Sequence, residues 1–436
     1  MSATASPAAN PSIEGALPDE SLLARRREAL GPTYRLFYDV PVQVARAEGV
    51  FLYAPDGTEY LDVYNNVPSV GHCHPAVAEA IAKQAAILNT HTRYLTDKVV
   101  EYAETLLATF PAELSQVMLT CTGSEASDLA LRVARACTGN TGFITTANAY
   151  HGVTLAVSEI CPSQGKVVAP HARAVPAPDG YRQEGDVGAR FAAGVQAAID
   201  DLAAHGIRPA ALICDMIFGS DGVFTDPPGF MTEAVARVRA AGGLFIADEV
   251  QPGFGRTGTH MWGFQRHGLV PDAVILGKPA GNGLPLAGLV AQPRVLEAFA
   301  AQSRYFNTFG GNPVCCAAGL AVLEVIRREG LMENAVRVGA RMRAGMEELA
   351  TAYPVLGDIR GAGLFFGAEM VRDRATREAA PDLAAQVVNG LRARRVLIGA
   401  AGPRANVLKI RPPLPFTEAH ADRFLAAMAE VLHGLR

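Results

Sequence analysis

Between residues 116 and 278 the chain alternates short apolar runs with longer stretches whose apolar residues recur every three or four positions. The apolar runs are QVMLTC (116–121), GFITTA (142–147), ALICDMIF (211–218), GLFIADEV (243–250) and AVILGK (273–278). Runs of this length bounded by turn residues read as buried strands, and the stretches between them as helices. That rhythm predicts an α/β domain with a largely parallel sheet. Two helix-period stretches, PAVAEAIAKQAAIL (75–88) and DKVVEYAETLLATF (97–110), precede it.

Nearer the N-terminus, SLLARRREALGP predicts a short helix closed by Gly31-Pro32, and 42–47 and 50–53 alternate as strands before a turn at Pro55-Asp56-Gly57. Beyond about residue 320 the pattern changes. Long amphipathic helices over 317–350 and 381–396 flank short strands at GLFFGAEM (363–370) and VLKIRP (407–412), an α+β arrangement. The expected organisation is a flexible tail (1–20), an N-terminal arm that contributes to the small domain (21–72), a large domain (73–320) and a C-terminal small domain (321–436). No internal repeat interrupts it.

The length of 436 residues is compatible with two or three domains of ordinary size. Thirty-nine Lys and Arg stand against 43 Asp and Glu, a formal charge of −4, so no basic field marks the chain as a binder of nucleic acid or of an anionic membrane. The seven cysteines are an odd number without a C-x-x-C pair, which suits neither a disulfide framework nor a thiolate zinc site and points to a reducing, cytoplasmic location. MSATASPAANPSIEGALPDES has no basic stretch leading into an apolar run, so a secretory signal is not expected. The longest uncharged stretches, 279–293 and 305–323, are broken by Gly, Pro and Asn, which argues against a membrane-spanning helix.

Open α/β sheets bind ligands beyond the C-terminal ends of their strands, and four such ends carry notable residues. At Thr122-Gly123-Ser124-Glu125 a strand meets a helix-period run, and small residues there leave backbone N–H groups free for an anion such as phosphate. An ordinary helix cap by Ser124 or Thr122 fits the same residues. Asp248 ends an apolar strand, where a carboxylate is costly unless it faces a cation or a protonated ring nitrogen; a structural acid that caps the next loop is the alternative. Lys278 also ends an apolar strand, and desolvation there would lower its pKa toward that of a nucleophile or proton carrier, although a surface loop lysine would look the same. Tyr150 and His151 follow a fourth strand and could stack on a flat ligand or pack in the core. His72-Cys73-His74 lacks the spaced ligands of a closed zinc site, so no metal is expected.

Taken together, TGSEAS, AYHG, ADEVQPGFGRTG, GKPAGNGLP and NTFGGNP, in this order, resemble the class III aminotransferases, fold-type I enzymes that use pyridoxal 5'-phosphate. The likeness runs from about Gly31 to the last helix. It implies a large domain with a mainly parallel, seven-stranded type of sheet and a smaller α+β domain. It further implies that Lys278 holds the cofactor as a Schiff base and moves the substrate proton, and that Asp248 pairs with the pyridinium nitrogen. By the same likeness Gly123 and Ser124 bind the cofactor phosphate, Tyr150 stacks on the ring with His151 beside it, and Gln251 bonds the phenolic oxygen. Thr308 would reach the phosphate of the neighbouring subunit, which implies a homodimer with shared sites.

Within the family, YLDVYNNVPSVGHCHP, LNTHTRYLTDKVVEYA and GDIRGAGLFFG with NVLKIRPP resemble the ethanolamine-phosphate and phosphohydroxylysine phospholyases, with Asn65-Asn66 and the stretch from Asn89 to Tyr94 the most suggestive parts. In ornithine and GABA aminotransferases the stretch here written DMIFGSDGV carries a Glu that pairs with the substrate-binding Arg. Ser220 takes its place, which leaves Arg411 unmasked for a small amine substrate whose far end is an anion, with Asn66 nearby, unless Asp221 partly replaces the Glu. The resemblance thus implies a phospholyase acting on O-phosphoethanolamine or a similar amino-alcohol phosphate, with an ω-amino acid or amine:pyruvate aminotransferase as the alternative. A non-catalytic cofactor-binding protein would not require Lys278, Asp248 and Gln251 together.

Overall fold

The computed structural model describes residues 17–165 and 168–435. The expected tail lies mostly in 1–16, outside the described residues; Asp19 already belongs to a helix start, its side chain accepting the N–H groups of Ser21 and Leu22 to cap Glu20–Leu30.

A seven-stranded sheet organises the chain. Side by side lie Gln116–Thr120, Ala287–Ala291, Ala273–Leu276, Leu244–Asp248, Pro209–Asp215, Gly142–Thr146 and Ala172–Val175. Pro209–Asp215 and Leu244–Asp248 are buried at every position, as expected of strands covered by helices on both faces. The last five are mutually parallel, while Ala287–Ala291 runs antiparallel to both neighbours. Two strands escape the sequence reading for physical reasons. Ala172–Val175 is a four-residue edge strand, and Ala287–Ala291 is built from small residues directly after the Gly- and Pro-rich GNGLP.

The strand expected over 42–47 forms only at Arg46–Glu48, and pairs with Phe51–Tyr53. An unanticipated strand, Glu59–Asp62, continues this sheet and pairs in parallel with Val396–Leu397, joining the N-terminal arm to the C-terminal part of the chain. There a second four-stranded sheet runs in the order Leu356–Ala362, Phe365–Met370, Val407–Ile410, Gly399–Ala401. The helical stretch expected over 317–350 is two helices, Pro313–Arg328 and Leu331–Ala352, because Gly330 takes φ 59° between them. A boundary at 320 therefore falls inside Pro313–Arg328, which packs on Pro75–Ala85 and Asp97–Leu107.

Buried charge ties the second sheet to the first. Glu369 of Phe365–Met370 accepts from Arg182 Nε at 2.8 Å and pairs with Arg360 Nη1 at 2.7 Å. Arg360 in turn donates to the Gly222 carbonyl at 2.8 Å. Burial alone would raise the Glu369 carboxyl; its two guanidinium partners more than offset this and hold it below the ordinary range. This network places the loop after Pro209–Asp215 against the second sheet, above the C-terminal ends of the central strands. Among the described residues no helix is long and apolar enough to cross a membrane.

Candidate active site

At the C-terminal end of Gln116–Thr120 the helix Gly123–Thr138 begins. Thr122 is its cap, accepting the Glu125 N–H, while the Glu125 carboxylate accepts the N–H groups of Thr122 at 3.2 Å and Cys121 at 2.7 Å. The first intrahelical bond is donated by Ala126 to Thr122, so the N–H groups of Gly123 and Ser124 have no acceptor within the helix. Thr122 thus takes the capping role, and the Gly123 and Ser124 N–H groups stay available to an anion. Ser124 Oγ accepts the Val153 N–H at 3.2 Å.

Gly152 closes the same cradle with φ 140°, and a Cβ there would lie 2.7 Å from Ser124 Cα. Gly152→Ala is therefore expected to cost about 1–3 kcal/mol, the range for overpacking, and to weaken cofactor binding; thermal unfolding and titration of the apoprotein check both.

Asp248, 5 % exposed, faces an imidazole: His151 Nδ1 lies 2.7 Å from its Oδ2, and Oδ1 accepts the Val250 N–H at 3.0 Å. A carboxylate only accepts, so Nδ1 carries the proton and Nε2 meets the Thr145 hydroxyl at 3.3 Å. His151 thus orients Asp248 while it also lines the cleft. Its backbone is pinned as well, its N–H to Cys161 Sγ at 3.1 Å and its carbonyl to Ser127 Oγ at 2.7 Å.

Lys278 begins the tight turn Lys278–Gly281 directly after Ala273–Leu276. Burial, aided by the Arg411 charge, lowers its amine below the ordinary lysine value against the opposing pull of Asp248 and Asp215. Gly123, Ser124, Tyr150, His151, Gly152, Asp248, Gln251 and Lys278 line one cleft.

Behind this cleft Gln251 bridges two charges. Its Nε2 donates to Asp215 Oδ2 at 3.2 Å and its Oε1 accepts from Arg411 Nη1 at 2.7 Å. Arg411 Nη1 also donates to Asn66 Oδ1 at 2.9 Å, and the guanidinium lies 4.6 Å from the Tyr64 ring centroid. Arg411 is therefore free of a carboxylate partner yet not free of partners, and at 6 % exposure it is buried. Its Nε and Asn66 Nδ2 are buried without an acceptor among the described residues. Asp221 does not replace the missing Glu, since its carboxylate is taken by Thr146 Oγ1 at 2.6 Å and the Asn148 N–H at 2.9 Å. Ser220 offers its carbonyl to Asn148 Nδ2.

The sequence reading missed Lys409 and Asp215. Lys409 stands two residues before Arg411 at the end of Val407–Ile410 and is 7 % exposed; period-two alternation puts both cations on one face, a signal hidden because only Arg411 drew notice. Asp215 ends its strand as Asp248 does, side by side with it in register. Thr308 is exposed and outside the cleft. His72 turns to Asp62 at 2.7 Å and His74 to Glu329 at 3.2 Å, so the two imidazoles serve different carboxylates.

Residues 36–432 match the family Aminotransferase class-III. The chain belongs to the class III aminotransferases. Its similarity to an alanine–glyoxylate aminotransferase 2-like protein of Drosophila melanogaster is 39% identity over 423 residues, covering 93% of this chain and 86% of that one. It is 35% identical over 436 residues to an ethanolamine-phosphate phospho-lyase homolog of Caenorhabditis elegans, covering 95% and 93%. An Arthrobacter phospholyase solved in complex with phosphoethanolamine superposes with a TM-score of 0.92 at 44% identity, covering 95% of this chain and all of that one.

The fold is accordingly that of the fold-type I pyridoxal-phosphate enzymes, and pyridoxal 5'-phosphate is the cofactor of this class III aminotransferase. The cleft suits that molecule: unpaired N–H groups of a helix N-terminus stand at one end for its phosphate, a buried carboxylate at the other for its ring nitrogen, and a desolvated lysine beside them for its aldehyde.

Proposed function

We propose that this class III aminotransferase is a phospholyase that eliminates phosphate and ammonia from O-phosphoethanolamine or a similar amino-alcohol phosphate. The observation that carries this reading is Arg411 with Lys409 two residues before it, two buried basic side chains at the end of Val407–Ile410 with no carboxylate in ion-pair contact among the described residues. The orphan donors Arg411 Nε and Asn66 Nδ2 lie beside them. Such a cluster favours an anion of high charge, as a phosphate monoester is. The likeness to the phosphoethanolamine-bound Arthrobacter enzyme supports the same substrate class.

Bound pyridoxal phosphate supplies an electron sink next to the amine-bearing carbon. Gly123 and Ser124 anchor the cofactor phosphate, Tyr150 covers the ring, and Asp248, held by His151, keeps the ring nitrogen protonated. Lys278, its amine lowered by burial and by the Arg411 charge, would remove the proton from the carbon. Arg411 and Asn66 would grip the distal anion and hold its C–O bond in place for cleavage, with phosphate leaving and water completing release of aldehyde and ammonia. With no leaving group the same residues would transaminate, the second reading that the aminotransferase relative favours. We further read exposed Thr308 as reaching a partner's cofactor phosphate in a homodimer, and the seven free cysteines as fitting the cytoplasm.

Arg411→Ala is expected to raise KM by about 10- to 150-fold, the equivalent of 1.5–3 kcal/mol for a charge-assisted hydrogen bond, with a smaller change in kcat. Steady-state kinetics decide it, and an unchanged KM removes Arg411 from the anion site. The reaction itself is tested by phosphate release in the absence of any keto acid.

A further inference from the structure

A phosphate monoester dianion whose C–O bond simply breaks leaves as a trianion, a strongly basic and poor leaving group. Elimination therefore calls for a proton on the departing oxygen, and the groups around the anion cluster can be sorted by whether they have one to give. Arg411 does not deprotonate in proteins. Burial and the Asp248 charge raise the Asp215 carboxyl, but its oxygens are turned to the N–H groups of Ile217 at 3.0 Å, Gly219 at 2.9 Å and Gln251 at 3.2 Å and not to the anion cluster. Lys278 is occupied with the carbon proton. Tyr64 is engaged with the Arg411 guanidinium. Lys409 remains: its amine makes no hydrogen bond or ion pair among the described residues, lies 5.5 Å from the centroid of the same Phe365 ring that Arg411 meets at 5.8 Å, and is within electrostatic reach of Arg411, Asp215 and Lys278.

We propose that Lys409 is the proton donor to the leaving phosphate, a role that rests on the phospholyase reading. As the C–O bond breaks, its electron pair stays on the bridging oxygen and an N–H proton of Lys409 moves to the phosphate, which departs as hydrogen phosphate. The electrons of the former C–H bond form the new carbon–carbon double bond, and the Lys409 amine regains its proton from water. Burial, with help from the Arg411 charge, pushes this amine well below the ordinary lysine value, which makes its proton easier to give.

Ethanolamine O-sulfate separates this role from plain charge attraction. Sulfate leaves as a weakly basic dianion that needs no proton, while it presents a similar anion to the same cations. For holoenzyme loaded equally with cofactor, as judged by its visible absorbance, Lys409→Met is expected to lower kcat for phosphate elimination by about 10²-fold or more, the scale of general acid catalysis. Sulfate elimination should fall at least tenfold less. Lys409→Arg, which keeps the charge but cannot release a proton, should show the same split and guards against a folding defect in the first variant. Equal losses with both substrates would reduce Lys409 to a charge and overturn the proposal. So would no loss, or a phosphate-selective loss in Tyr64→Phe with none in the Lys409 variants. Wild-type enzyme that releases no phosphate would instead overturn the phospholyase reading, and this role with it.

Discussion

Lys278→Ala is expected to abolish turnover while leaving the apoprotein folded. The lysine opens the turn that follows a buried strand, its amine disfavoured as a cation by burial and by Arg411. Removing it takes away an uneasy charge instead of a stabilising one, so the thermal midpoint of the apoprotein should not fall by more than truncating a half-buried side chain entails. The chemistry loses both the covalent tether and the proton carrier. The proton transfer alone is worth about 10²–10⁴-fold, and no other amine lines the cleft. The visible band of the cofactor–lysine link should be absent from the variant. Retention of that band, or of turnover within tenfold of wild type, would show that another residue holds the cofactor.

The second largest effect is expected of Asp248→Asn. In the native site both carboxylate oxygens accept: Oδ1 from the Val250 N–H and Oδ2 from His151. An amide keeps only one acceptor, so its NH₂ must face either a backbone N–H or the His151 N–H, and the ring nitrogen loses its anion as well. Breaking a buried charge pair typically costs about 3–5 kcal/mol, which predicts a loss of about 10²–10⁴ in kcat/KM. On the proposed ring-nitrogen role the loss should appear with every substrate, since that role does not involve the distal anion. Arg411→Ala should discriminate among substrates by that anion, and the contrast separates the two ends of the site. A variant Asp248→Asn within tenfold of wild type would remove the ring-nitrogen role.

The strand ends that carry Asp248 and Lys278 were legible because apolar runs announce buried strands, and a charge at the end of such a run is conspicuous. The helix start at Gly123 was legible for its residue types, but not the division of labour by which Thr122 caps while its neighbours stay free. That depends on Glu125 reaching back to two backbone N–H groups, which a local pattern suggests and only geometry fixes. The anion cluster was the least legible part. Arg411, Asn66, Gln251 and Asp215 lie on four separate segments, 345 residues apart at the extreme, and meet only after folding. Arg411 was therefore expected to stand free when it is in fact held by two amide side chains. In the fold itself, the antiparallel Ala287–Ala291 went unread because small residues after a glycine-rich loop carry little strand signal.

The most direct test of the central claim is phosphate and aldehyde formation from O-phosphoethanolamine by enzyme supplied with pyridoxal phosphate and no keto acid, run beside an assay for alanine formation from pyruvate and a panel of amines. The phospholyase reading predicts stoichiometric release of phosphate, aldehyde and ammonia without a keto acid. Alanine formation with no phosphate release would contradict it, and would make the enzyme an aminotransferase whose two buried cations receive another anion.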